Sequence, residues 1–121
     1  MASIIEKEAN GEEDRAVISG ILWKRIAQGM PMQVDAPFLF LLNKQSSELT
    51  IKDLAIDSPY NTYKYKGLPP GPINNPRLES IKAALNPQTS PYLYYLHDAK
   101  GGIHYASDFK GHQANITRYL K

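Results

Sequence analysis

Apolar residues at Val17, Ile18, Ile21, Leu22 and Ile26 recur at helical spacing. This stripe predicts a helix with one buried face. Acidic residues Glu12, Glu13 and Asp14 precede it, where negative charge suits the positive end of the helix dipole. Gly29 closes it, and Met30-Pro31 turns the chain. A shorter helix is predicted over residues 2–9, with Ile4 and Ile5 inward and charge at Glu6, Lys7 and Glu8; Asn10-Gly11 stops it. Residues 35–42 hold an apolar run too short for periodicity to separate strand from helix, but Asp35 as N-cap and Pro37 in the first turn favour helix. A polar link over 43–48 leads to a short helix over 50–54. Pro76 then opens a helix whose apolar face is Leu78, Ile81 and Leu85, ended by Asn86-Pro87. Aromatic-rich residues 91–97 read as a strand, 98–102 as a turn and 103–106 as the return strand of a hairpin. Ser107 or Asp108 caps a last helix with Phe109, Ile116, Tyr119 and Leu120 on one face. The expected fold is α+β, one domain of several helices packed around a small antiparallel hairpin.

Between Pro59 and Pro76 the pattern breaks. The segment is rich in proline and glycine, holds Tyr60, Tyr63 and Tyr65, and contains no carboxylate. Closely spaced prolines remove backbone donors and fix φ, which excludes an interior helix or a central strand. Loops this long in small domains are functional or disordered, and stiff aromatic composition argues for order. The expectation is an ordered, aromatic-lined wall beside a ligand.

At 121 residues the chain holds one modest core. A formal net charge of +2 with both signs mixed along the chain argues against nucleic acid, which calls for clustered Lys and Arg. The absence of cysteine removes disulfides and thiolate metal sites. His97, His104 and His112 form no ligand spacing, so no metal or other cofactor is expected, although His97 and His104 stand on opposite arms of the hairpin, where they can approach each other. There is neither a Gly-x-Ser-x-Gly elbow nor a phosphate-binding glycine loop. No apolar stretch is long enough to span a bilayer, and the first residues do not read as the n-region and h-region of a signal peptide. The chain reads as a domain cut from something longer.

Two acidic positions carry chemical interest. Glu6 and Glu8 lie two apart on a helix and do not share a face, so one can point inward beside Ile4 or Ile5 while the other stays wet. A carboxyl held against apolar groups has a raised pKa and can act as a general acid near neutral pH. The alternative is an entirely solvated Glu-Lys-Glu face. Gln33 and Asp35 flank Val34 and either reach a cleft or, for Asp35, simply cap the next helix. The tyrosines of the loop either stack on sugar rings or bases, or pack the loop onto the core.

Taken in order, Ser3-Ile4-Ile5-Glu6-Lys7-Glu8, Gly29-Met30-Pro31-Met32-Gln33-Val34-Asp35, Ser58-Pro59-Tyr60-Asn61-Thr62-Tyr63, Gly67-Leu68-Pro69-Pro70-Gly71-Pro72-Ile73, Lys82-Ala83-Ala84-Leu85-Asn86-Pro87 and Tyr92-Leu93-Tyr94 resemble the catalytic domain of the endolytic murein transglycosylases, the YceG-like proteins. The resemblance runs over nearly the whole chain. It implies cleavage of the bond from N-acetylmuramic acid to N-acetylglucosamine within a peptidoglycan strand, without water, leaving a 1,6-anhydro end; the alternatives are a glycan-binding module without activity and a hydrolytic muramidase, for which Asp35 is the candidate second carboxylate. One glutamate acts as acid and then as base, so the usual second carboxylate of glycosidases is not required. The family's glutamate maps to Glu8, with Glu6 as the alternative; Ala9 follows where relatives usually carry Thr. Gln33, Asp35, Tyr60, Asn61, Thr62 and Tyr63 become the implied substrate contacts. Glycan strands are the implied partner, with wall-synthesising machinery a further one for full-length relatives at the outer face of the inner membrane. The family's membrane anchor and small binding domain lie outside this sequence, and a monomer is expected.

Overall fold

A computed structural model describes residues 1–120, the side chains of Glu12 and Ser46 apart, so the dipole contribution expected of Glu12 lies outside the described residues. Five helices and one hairpin follow each other in the order α1 (Ala2–Glu8), α2 (Glu12–Ala27), α3 (Ala36–Leu42), α4 (Leu78–Leu85), β1 (Tyr94–His97), β2 (Ile103–Ala106) and α5 (Phe109–Tyr119). The α+β expectation holds. Two single 3₁₀ turns, Ser46–Glu48 and Asp53–Ala55, lie between α3 and the proline-rich loop. The second is closed by a reciprocal cap, in which Thr50 N donates to Asp53 Oδ2 at 3.0 Å and Asp53 N to Thr50 Oγ1 at 3.1 Å. Among the described residues no helix is long and apolar enough to cross a membrane.

Helix α2 is the axis. Ile18, Ile21 and Leu22 are fully buried, and the main core joins Ile18 and Leu22 to Ile4 of α1, to Met32, Val34 and Ala36, and to Ile73 at the end of the loop. Its other side carries the end of α4 and the segment after it: Trp23 Nε1 donates to Ala84 O at 3.0 Å, and Gln88 N donates to Ala16 O at 3.0 Å. Gly20 makes that approach possible, because a Cβ there would lie 2.0 Å from Gln88 O. At the end of α2, Gly29 takes φ +72°, as a left-handed helix stop requires.

One expected apolar face is wrong and another holds only in part. In α4, Leu78, Ile81 and Leu85 are exposed, and Ser80 and Ala83 are the buried residues. Close packing against α1 and α2 admits only small side chains, and the polar Ser80 is satisfied there by Glu6. In α5, Phe109 and Leu120 are half exposed, whereas Ile116 and Tyr119 are half-buried as expected; Tyr119 stacks on His104 of the hairpin at 3.5 Å, and His112 adds a stack on Tyr94 at 5.0 Å. Asp108, rather than Ser107, caps α5 by accepting from Gly111 N at 2.7 Å. The first strand begins at Tyr94, not at residue 91, and α4 begins at Leu78, two residues after Pro76.

The hairpin register pairs Leu96 with His104 and His97 with Ile103. Side chains alternate across a strand, so His97 and His104 face opposite sides and do not meet. His104 Nε2 instead lies 2.8 Å from Asp98 Oδ2, beside the turn.

Replacing Gly20 with Ala is expected to force the 87–90 segment away from α2 and to cost about 3 kcal/mol. Urea unfolding checks this; a loss under about 0.5 kcal/mol would show that the contact yields freely.

Candidate active site

Helix α1 sorts its two glutamates to different fates. Glu6 Oε1 accepts from Arg77 N and from Ser80 Oγ, both at 2.9 Å, and Arg77 Nε approaches Oε2 at 3.4 Å. These bonds, the backbone one above all, hold its carboxyl below the ordinary glutamate range and pin α1 to the start of α4. Glu6 does not line the cleft. Glu8, two residues on, turns the other way into a cleft of about 500 Å³. Burial, the largest influence, pushes its pKa from 4.5 up to about 7; a hydrogen bond from Tyr95 pulls down, and the nearby Asp35 pushes up. Tyr95 Oη donates to Glu8 Oε1 at 2.5 Å. The phenol itself is held well above its usual range by burial, so it stays a donor at every physiological pH.

Facing Glu8 is the segment after the Met-Pro turn. Gln33 lines the cleft with φ at +55°, an uncommon conformation for a residue with a side chain. It is held there from the proline-rich loop: Gln33 N donates to Thr62 O at 3.2 Å, Val34 N donates to Thr62 Oγ1 at 3.0 Å, and Thr62 Oγ1 donates to Val34 O at 2.9 Å. Asp35 also lines the cleft. It occupies the N-cap position of α3 but its side chain makes no capping bond; its Oδ1 accepts from Tyr63 Oη at 2.6 Å. The simple capping alternative for Asp35 is therefore corrected, because the carboxylate is turned toward the loop tyrosine. Burial raises the Tyr63 pKa, and Asp35 raises it further.

The loop reaches the cleft only through Tyr63. Asn61 and Thr62 are fully buried. The Asn61 amide donates to Leu54 O and Ile56 O, and its Oδ1 accepts from Tyr63 N and Lys64 N, so its hydrogen-bonding capacity is filled from within. Tyr60 packs on the core and against Phe40, with ring centroids 5.6 Å apart. Tyr65 is exposed and bonds Asp57. Glu8, Gln33, Asp35 and Tyr63 are thus brought together; Glu6, Tyr60, Asn61 and Thr62 stand behind or outside the cleft. The loop is a buttress carrying one cleft tyrosine, not an aromatic wall.

The cleft residues that sequence reasoning did not assign include Arg25, Tyr94, Tyr95, His97 and His112. Arg25, almost fully buried, donates from Nε to Pro31 O and from a terminal nitrogen to Leu93 O, both at 2.9 Å, with Tyr94 stacked over its guanidinium at 5.1 Å. Its spacing from Ile18 and Leu22 places it on the buried stripe of α2, which was the available signal. Tyr95 and His97 had no signal beyond strand alternation. Burial lowers the pKa of His97 and of His112, so the hairpin and α5 present neutral rings at neutral pH. Among the described residues no cluster of His, Asp and Glu is arranged to hold a metal ion.

This framework recurs in known proteins. The model of the YceG-like family matches residues 1–118. The chain belongs to that family. It is 41% identical to an endolytic murein transglycosylase of Bacillus subtilis (strain 168) over 120 residues, covering 99% of this chain and 33% of that protein. A second protein of that name, from Streptococcus pneumoniae serotype 2, is 34% identical over 126 residues, covering 99% of this chain and 23% of its own length. The crystal structure of a Listeria monocytogenes protein described as yceG-like superposes with a TM-score of 0.88 at 45% identity, over 94% of this chain and 38% of that one. The chain therefore spans about a third or less of the two curated relatives.

The raised pKa of Glu8 carries a stability cost with a defined sign. Between pH 4.5 and about 7 the unfolded chain ionises this group while the folded one does not, so folding weakens across that window and stays weakened above it. Glu8→Gln, which keeps an acceptor for Tyr95, should match the native chain at pH 4 and exceed its stability at pH 8 by up to about 3 kcal/mol in denaturant unfolding. Equal stabilities at pH 8 would contradict the buried placement. Tyr95→Phe removes the bond that favours the carboxylate and should move the Glu8 titration, followed by carboxyl NMR shifts, upward by about one pH unit; Asp35→Asn should move it downward.

Proposed function

We propose that this chain cuts peptidoglycan glycan strands internally and without water, with Glu8 as the single acid and base. The observation that carries the reading is the Glu8 carboxyl, partly buried in the cleft and poised at about 7, while the neighbouring Glu6 is occupied in holding helices together. Near neutral pH a large share of Glu8 is protonated, as a general acid needs. In the reaction, the Glu8 proton passes to the bridging oxygen as the bond from the muramoyl anomeric carbon breaks, and N-acetylglucosamine leaves with a free hydroxyl. The muramoyl 6-hydroxyl oxygen bonds to that carbon and gives its proton to the Glu8 carboxylate. The ring closes as a 1,6-anhydro sugar and Glu8 returns to its starting state. The nucleophile belongs to the substrate, so the protein's part is to hold it at reacting distance.

The other cleft groups fit this work. Tyr95 fixes which Glu8 oxygen carries the mobile proton, since it already occupies Oε1. Gln33 offers an amide to an acetamido group, and the Asp35–Tyr63 pair offers polar edges to sugar hydroxyls. Asn61 and Thr62 act by positioning Tyr63 and Gln33. The relatives named as murein transglycosylases support the substrate class, and a cell-envelope location follows from it. A hydrolytic muramidase is the second reading, favoured by the presence of Asp35 in the same cleft, where it is able to serve as a second carboxylate.

Mass spectrometry of the ends formed from uncrosslinked glycan strands separates the readings. Anhydromuramoyl ends are expected, and reducing muramoyl ends would establish hydrolysis instead. Glu8→Gln should lower the rate at least about a thousandfold while Glu6→Gln retains most of it. Activity that survives in Glu8→Gln and disappears in Glu6→Gln would transfer the role to Glu6.

A further inference from the structure

A second groove of about 360 Å³ adjoins the cleft. Lys7, Ala36 and Leu39 line both, so the two adjoin across the seam between α1 and α3. The floor of the second groove includes Phe40, which is 51% exposed although its other side packs on Tyr60. Its cations differ in availability. Lys44 Nζ is paired with Asp53 Oδ2 at 2.8 Å, whereas Lys7, exposed at the junction, forms no ion pair or hydrogen bond among the described residues. A flat exposed ring and an available ammonium lining one groove that adjoins the cleft fit a sugar chain that carries carboxylates.

Resting on the transglycosylase reading, we propose that the glycan strand leaves the Glu8 cleft across the α1–α3 seam, lays a sugar ring on Phe40 and sets a strand carboxylate against Lys7. A cut within a strand needs sugars held beyond the reacting bond, and binding energy from those remote sugars is what orients the reacting ones. Sugar rings present apolar C–H faces that pack on aromatic rings. Each muramic acid bears a lactyl group that ends in a carboxylate or in a peptide carrying carboxylates, which supplies the charge that Lys7 attracts.

The test is strand binding to Glu8→Gln protein, in which the sugar chain stays uncut. A tetrasaccharide spans the reacting bond and little else, while a strand of about eight sugars or more reaches the second groove. Adding Phe40→Ala should weaken the long strand about tenfold more than the tetrasaccharide. Adding Lys7→Gln, at an exposed site that the fold does not need, should weaken the long strand about threefold at low salt, and that difference should vanish at about 0.5 M salt. Strands stripped of their peptides separate the two sources of charge: a persisting Lys7 effect assigns the lactyl carboxylate, a lost one the stem peptide. Equal losses for both lengths, or none, would overturn the groove. Length discrimination that depends on Phe40 and Lys7, in a protein that makes no anhydro ends, would retain the groove and discard the reaction.

Discussion

Keeping a single carboxyl partly out of water, without a cation to neutralise it, is the constraint around which this structure is arranged. Burial is the largest influence on Glu8, and Asp35 adds to it; Tyr95 alone opposes them, as a neutral donor. Arg25, the one buried cation among the described residues, gives its hydrogen bonds to the Pro31 and Leu93 carbonyls and its face to Tyr94. His97 and His112 are kept neutral by burial. An unshielded carboxyl at this depth is costly, and the cost is tolerable because α1 is fastened on both sides. Glu6 ties it to α4, and Ser3 ties it to the loop by accepting from Ile73 N and Asn74 Nδ2.

The proline-rich loop serves the same end from the opposite wall. It runs from the Asn61 turn past Thr62 to Ile73, so its two ends touch the two segments that carry Gln33 and Glu8. Thr62 binds both backbone groups of Val34, which leaves Gln33 in a left-handed conformation on the cleft edge. Such strain persists only where surrounding contacts over-determine it. The loop is thus a brace whose stiffness is transmitted to the cleft by backbone hydrogen bonds, and prolines suit a brace because they reduce the entropy lost on folding.

Much of this fold was legible residue by residue. The stripe from Val17 to Ile26, the Gly29 stop, Pro37 at the start of α3 and the hairpin turn at 98–102 are local signals, and local physics decides them. Where the expectation failed, tertiary contact had overridden pattern. Leu78, Ile81 and Leu85 form an apolar face, yet α4 turns Ser80 and Ala83 inward because its neighbours lie too close for leucine. Asp35 has the sequence of a cap and the geometry of a cleft residue: its side chain makes no capping bond and accepts from Tyr63 Oη instead.

By itself, the sequence determined the α+β elements, their boundaries to within a few residues, the family to which the chain belongs, and the pair Glu6 and Glu8 as the carboxyls of interest. Helical spacing even required that the two point apart. Only the tertiary structure decided which one entered the cleft. The choice depends on Arg77 and Ser80 lying on one side of α1 and Tyr95 on the other, more than seventy residues away in each case. Burial and proton affinity are properties of what surrounds a group, and those surroundings exist only once distant segments have packed.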